Sequence, residues 1–245
     1  SREFAGRGSA TEGLEKAAKL VEGVFKSAGL EKFDTTNGWR QPVPLWKRRT
    51  EGGVELLLNG ERVDEEEFDV TSFSAACDVD GEFDVVFAGY GITAPKARYD
   101  DYAGLDVKGK AVVVLRKAPR WGKRGTPFRG PLQGHAYFHN KVHNAVAHGA
   151  GVVLLLSGNE KDDLGFRRTF RLPGVSGRKP EGGPPVLFIS PSLAKRLIGR
   201  EPKTLAAGID GSLKPNSFAA GGKRLKLKIR IKAEQVSCDN VVGYL

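Results

Sequence analysis

All four histidines of this 245-residue sequence fall in one stretch, GHAYFHNKVHNAVAHGAGVV (134–153). His135, His139 and His143 follow at i, i+4 and i+8, and His148 closes the run. Imidazole is the commonest protein metal ligand and the usual general base near neutral pH, so the stretch raises metal and acid–base chemistry together. A helical pair at i, i+4 can bind zinc, but a site needs a third ligand and groups that orient the rings. No Asp or Glu occurs between Asp106 and Glu160. At about 100° per residue His148 points away from His139, so one helix cannot bring all four rings to one ion. The residues therefore predict a helix packed through Phe138, Val142, Ala145, Val146 and Gly149, with solvated histidines on its flank and no metal bound there.

Other chemistry is equally sparse. HExxH, GxSxG and the P-loop pattern are missing, and Cys77 has no histidine close in sequence. No catalytic residue is legible. DDYAGLDVKGK (100–110) clusters the hard carboxylates that calcium takes; its spacing is not that of an EF-hand, and turn-capping by Asp106 is the stronger reading. The segment 116–130 carries six Lys/Arg residues, with Trp121 and Phe128 interleaved. Phosphate contact and base stacking use such a mixture, but no nucleic-acid motif accompanies it. A loop that is solvated or covers a partner fits better, with Arg120, Trp121, Lys123, Arg124 and Phe128 as candidate substrate or partner contacts.

Periodicity places these residues on elements. Residues 10–30 read as an amphipathic helix capped by Thr11 and stopped at Gly29. FDVVFAGYGI (83–92) reads as a strand ending in a glycine turn, and KGKAVVVLR (108–116) as a turn leading into a buried strand. GVVLLLS (151–157) and PPVLFIS (184–190) are further buried strands, separated by a Gly/Pro/Arg-rich loop (158–183). PSLAKRLIG (191–199) is a short helix. KRLKLKIRIKAE (223–234) alternates basic and apolar residues with period two, as a half-buried strand does. Strand, loop, helix and strand in the middle, flanked by β-rich segments, predict a mixed α/β (α+β) domain.

Two cysteines, Cys77 and Cys238, are too few for a disulfide framework. No apolar run reaches the roughly 20 residues that span a bilayer, and no membrane partner is expected. Lacking methionine and stopping on an apolar run, the sequence reads as a segment of a longer protein. Residues 1–110 carry a formal charge of −6 and the remainder +16, an asymmetry that raises nucleic-acid binding; the scatter of the cations over loops and strand faces argues against it.

FAGYGITAPKARYDDYAGLDVKGKAVVVLR resembles the start of the protease-associated domain of secreted bacterial zinc aminopeptidases. The strings that carry the likeness are Gly89-Tyr90-Gly91, Asp100-Asp101-Tyr102 and Asp106 with Lys108-Gly109-Lys110. Ala145 with Gly149-Ala150 matches the following helix and its exit into a strand. GRGSATEGLEKAAKLVEGVFKSAGL is similar to the helix that opens the peptidase domain. Asn240-Val241-Val242-Gly243 is similar to the strand that re-enters it.

That resemblance implies peptidase-domain elements in residues 1–45, a protease-associated domain of the swivelling β/β/α kind in 46–222, and peptidase strands in 223–245. It also implies zinc held by residues that this sequence does not contain, secretion or export to the periplasm, and an own peptidase domain and peptide or protein substrates as partners. A free-standing interaction module of the same type in a non-peptidase protein is the alternative. The segments 116–130 and 158–183 depart from the family's pattern in their length and basicity.

Overall fold

The computed structural model describes residues 11–33, 38–156, 172, 174–177, 179 and 181–245; expectations about residues 1–10 and about most of 158–183 lie outside that set. The elements are α1 (Glu12–Ser27), β1 (Arg40–Thr50), β2 (Glu55–Leu58), β3 (Glu61–Arg62), β4 (Phe68–Val70), β5 (Cys77–Phe87), β6 (Thr93–Ala94), β7 (Tyr99–Asp100), β8 (Ala111–Leu115), α2 (Phe138–Ala147), β9 (Val152–Leu156), β10 (Gly174–Ser176), β11 (Val186–Ile189), α3 (Pro191–Ile198), α4 (Pro202–Ser212) and β12 (Phe218–Val241). The fold is mixed α/β. It divides into two compact units: Ser1–Arg48, Val175–Pro180 and Ala233–Leu245 form one, and Arg49–Gly174 with Glu181–Lys232 the other.

In the first unit the Thr11 hydroxyl caps α1 by accepting from the Leu14 amide at 3.4 Å, which satisfies one of the orphan donors of the first turn. Gly29 follows the helix at φ +72°. Arg40 binds Glu15 at 2.9 Å, Asp239 at 3.4 Å and Glu22. Asn240 donates to the Gln41 side chain at 3.3 Å. Only Ala18 among the described hydrophobic residues of this unit is buried.

The second unit holds a sheet in the order β12-β5-β8-β9-β11-β4, with β2 also on β12 and β3 on β2. The middle four strands run parallel, with Val113 beside Leu154 and Leu155 beside Phe188; β12 and β4 pair antiparallel at either end. All residues of β8, β9 and β11 are buried, because helices and strands cover both faces, and such strands read as unbroken apolar runs. Val113, Leu115, Leu154 and Leu156 join one core with α3 and α4. Val112, Val114, Val153 and Leu155 join another under α2.

Four sequence readings change here. β5 starts six residues before the anticipated strand, and β12 runs past it at both ends. α4 was not anticipated, since its segment PKTLAAGIDGS is rich in glycine; Leu205 and Ile209, 7% and 0% exposed, hold it to the core. In α2 the buried arc is rotated from the expected stripe: Val146 is 41% exposed, whereas Lys141 is 1% exposed. His148 follows this rotation inward and stacks on Tyr102, with ring centroids 4.2 Å apart.

The alternating segment 223–234 is a half-buried strand as expected, with Leu225, Leu227, Ile229 and Ile231 inside. Its outward cations stand opposite the outward acids of β5: Arg224 faces Asp84, Lys226 Glu82, Lys228 Asp80 and Arg230 Asp78. Arg230 reaches Asp78 at 2.5 Å and Lys228 reaches Asp80 at 3.6 Å. The acidic excess of the first half of the chain thus neutralises part of the basic excess of the second. Opposite charges across strands support register, while exposure and salt weaken each pair. Asp80→Lys is expected to lower the urea midpoint at low ionic strength, and the difference from wild type should shrink at about 1 M salt, where the Debye length is about 3 Å.

Candidate functional site

The polar residues singled out by sequence converge at the carboxyl ends of β5 and β8, the edge at which open α/β sheets bind ligands. β5 ends in Ala88-Gly89-Tyr90-Gly91-Ile92, and the turn is held to β8 by Leu115 N–H donating to the Gly89 carbonyl at 2.8 Å. Gly89 and Gly91 adopt φ +48° and +67°, conformations that side chains rarely take. Space restricts them too. A methyl group on Gly89 would strike the Asp101 carboxylate, and one on Gly91 would lie 2.9 Å from Val114 Cγ1.

Asp101 fills the room that the glycines leave. It is 1% exposed; its Oδ2 accepts from Ile92 N–H at 3.0 Å and its Oδ1 from the Tyr99 hydroxyl at 2.8 Å. Asp100 Oδ1 accepts from Thr93 Oγ1 at 2.8 Å and from Tyr102 N–H at 3.0 Å. Both Asp101 oxygens and Asp100 Oδ1, raised above as possible calcium ligands, are therefore engaged with protein donors. α2 closes the site: Lys141 Nζ donates to the Tyr90 carbonyl, and Asn144, one turn on, donates to the Gly91 carbonyl at 3.0 Å.

Burial dominates the electrostatics. It pushes the Asp101 carboxyl up to about 7, against the lowering effect of its Ile92 and Tyr99 hydrogen bonds and of Lys141. It pushes the Lys141 ammonium down to about 7, with Asp101 acting in the opposite sense. Removing the hydration of a charge disfavours the charged form in both cases. Burial, with Asp101 and Asp210 adding to it, also raises the Tyr90 and Tyr99 hydroxyls, so both stay protonated donors. Neither Asp101 nor Lys141 is open to a substrate, and the cluster positions the turn.

The Tyr90 hydroxyl donates to Asp210 Oδ1 at 2.8 Å, which ties the turn to the last residues of α4. Asp210 also holds the basic loop: Arg120 N–H reaches Oδ1 at 3.0 Å, Arg120 Nε reaches the Asp210 carbonyl at 2.6 Å, and Lys123 Nζ lies 3.4 Å from Oδ2. Of the candidate contacts in this loop, Phe128 is 1% exposed and packs edge-on to Tyr99 at 5.5 Å, so it is a core residue and out of a partner's reach. Trp121 is half-buried against the core. Arg120 is committed to α4, and Lys123 and Arg124 are exposed.

The remaining motif residues are structural in place. Asp106 Oδ1 accepts from Lys108 N–H at 3.2 Å and its Oδ2 pairs with Lys110 at 2.9 Å, around Gly109 at φ +68°. Ala145 and Ala150 are buried, and Gly149 at φ +87° turns α2 into β9. Asn240 belongs to the first unit. Among the histidines, His135 is half-buried beside Phe128 at 6.3 Å, His139 stacks on Tyr137, and His143 is exposed. Among the described residues no three His, Cys, Asp or Glu side chains are grouped to hold a metal, and no helix is long and apolar enough to cross a membrane. Cys77 and Cys238 are free thiols. Burial and the neighbouring Asp78 push the Cys77 thiol up to about 11, which leaves it a poor nucleophile.

Sequence reasoning missed Lys141, Asn144 and Asp210. A lysine three residues before an asparagine on a helix looks like a solvated face, and only the absence of nearby acids hinted otherwise.

The chain has an aminopeptidase-like fold. An aminopeptidase from Aneurinibacillus sp. strain AM-1 superposes with a TM-score of 0.54 at 18% identity, over 96% of this chain and 43% of that one. A zinc aminopeptidase from Bacillus subtilis aligns over 95% of this chain and 42% of its own at 17% identity, with a TM-score of 0.42. At 18% identity the likeness to the Aneurinibacillus protein establishes the fold alone, and the chain spans less than half the length of either protein. No protein-family model matches the sequence, and no curated protein does.

Proposed function

We propose that this chain is the N-terminal portion of a zinc-dependent aminopeptidase and is not itself catalytic. In this reading residues 1–45 and 223–245 belong to the peptidase domain, and 46–222 form an inserted protease-associated domain that covers the active-site entrance or binds substrate or partner protein. One observation carries it. Among its described residues the first unit buries almost no apolar side chain, while Leu20 and Val24 on α1 are 60% and 57% exposed and Phe33 and Tyr244 are each 43% exposed. A helix with an apolar stripe needs that stripe covered, and a peptidase domain supplies the cover. The likeness to an aminopeptidase more than twice as long supports the same reading.

Zinc enters through the sequence resemblance. In this reading the metal is held by residues outside this chain, and no step here runs through it; among the described residues no three His, Cys, Asp or Glu side chains are grouped. Secretion or a periplasmic location follows from the same resemblance.

The test is to read the coding sequence beyond Leu245 and express the extended polypeptide. A downstream His-x-Asp zinc motif, with zinc-dependent hydrolysis of amino-acid p-nitroanilides that residues 1–245 alone lack, is the expected result. A stop codon or an unrelated domain would favour the free-standing interaction module and overturn the peptidase reading. The exposed Lys123 and Arg124 further suggest a preference for acidic peptides, since clustered cations raise the local concentration of anionic substrates. Replacing Lys123 and Arg124 with serine in the extended enzyme should then raise KM for acidic peptides more than for basic ones. Equal effects on both would remove that preference.

A further inference from the structure

We propose that Lys141 and Asp101 form a protonation switch that sets the conformation of the basic loop 117–130, relayed through Tyr90 and Asp210. The relay is a continuous set of contacts within one compact unit. Lys141 Nζ holds the Tyr90 carbonyl, Tyr90 Oη holds Asp210 at 2.8 Å, and Asp210 holds Arg120 and Lys123. A charged donor makes a stronger hydrogen bond than a neutral one. When the Lys141 ammonium loses its proton, its grip on the Tyr90 carbonyl weakens and the Tyr90 side chain loses its fixed base. Asp210 then keeps only its direct hold on a loop that is under backbone strain.

That strain is visible at two non-glycine residues of the loop, Lys117 at φ +67° and Arg120 at φ +54°. Such conformations persist where surrounding contacts over-determine them, and the contacts that fix Arg120 are those to Asp210 and Gly211. The loop is thus poised to relax when one support is withdrawn.

The groups that face the switch are few. Asp101 is surrounded by the Tyr99 hydroxyl, by Tyr90 and Tyr102, and by Asp100 on its own turn. Asp210 on α4 acts on Tyr90 and Tyr99. Lys141 Nζ lies 5.6 Å from the Tyr90 ring centre, and the Asp101 charge favours its ammonium. Burial first, and Lys141 second, hold His135 below the usual imidazole range. The tyrosines remain protonated through neutral pH, and His148, stacked on Tyr102 with ring centroids 4.2 Å apart, is the second imidazole beside the cluster, so His148→Asn is tested with His135→Asn.

Trp121 reports on the loop. In the whole chain labelled with fluorotryptophan, the three tryptophans give three fluorine resonances, and Trp121→Phe assigns the one needed. The Trp121 resonance is expected to step as pH passes through neutrality. Lys141→Met should abolish that step in a folded protein, and Asp101→Asn should move it to lower pH, because Asp101 favours the Lys141 ammonium. Tyr90→Phe, which removes only the hydroxyl contact to Asp210, should shrink the step while leaving the pH dependence of unfolding in place. It also serves if Lys141→Met fails to fold. A purely structural role for Lys141 would displace the resonance without altering its pH profile. No step in the wild-type chain, a step unchanged by Tyr90→Phe, or a step removed by His135→Asn or His148→Asn alone would each overturn the proposal. None of these outcomes depends on what the loop faces, so the peptidase reading stands or falls separately.

Discussion

Gly89→Ala is expected to lower stability by about 3–5 kcal/mol, the range in which core overpacking and a forced backbone conformation act together. The new methyl group would sit on the Asp101 carboxylate. Moving that carboxylate breaks its bonds to the Ile92 amide and the Tyr99 hydroxyl, so the strain cannot be relieved cheaply. Gly104→Ala is the control. Gly104 has φ +71° and nothing within 4 Å of the added carbon, so it should cost only the left-handed penalty of about 1–2 kcal/mol. Urea unfolding midpoints measure both, and similar losses in the two variants would show that Asp101 does not constrain Gly89.

Asp101→Ala should cost a further large amount, about 3–5 kcal/mol, because it strands two buried donors. Lys141 would lose the charge that favours its ammonium, and Ile92 N–H and Tyr99 Oη would lose their acceptor. Combining Asp101→Asn with Lys141→Met should cost less than the two single changes added together, since the groups act on each other. The pH dependence has a definite sign. Asp101 is raised from 3.8 in the folded state, so its contribution is present at low pH and is lost as pH rises through about 7. Lys141 is lowered from 10.5, so its contribution is present at high pH and is lost as pH falls through about 7. Together they place a stability minimum near neutrality. Unfolding measured from about pH 5 to about pH 9 should show that dip in the wild type and a flatter curve in the double variant. A dip that persists in the double variant would assign it to other groups.

Much of the scaffold was legible because its signals are local. The β-branched runs AVVVL and VVLLL, the Thr11 cap, the Asp106 turn and the two-residue alternation of 225–231 each depend on near neighbours in sequence. The glycine turn after β5 was legible as a turn. Its partner was not, since Lys141 lies 51 residues beyond Tyr90 and nothing local distinguishes a lysine that dives into the core from one that faces water. Periodicity placed the buried face of α2 one residue type too far around, towards Val146. The helix rotates because two side-chain donors, Lys141 and Asn144, satisfy carbonyls that the turn leaves inside, and an unpaired buried carbonyl costs more than an exposed valine.

Charge was divided in the same way. By itself the sequence determined how many cations this protein carries, which strand alternates them, and that no acid lies near the histidines. Only the tertiary structure decided which cations remain available. Pairing β12 with β5 sets Arg224, Lys226, Lys228 and Arg230 against four acids more than a hundred residues earlier, and α4 brings Asp210 to Arg120 and Lys123. Coulomb attraction depends on distance in space, and distance in space is what a sequence read along its length does not contain.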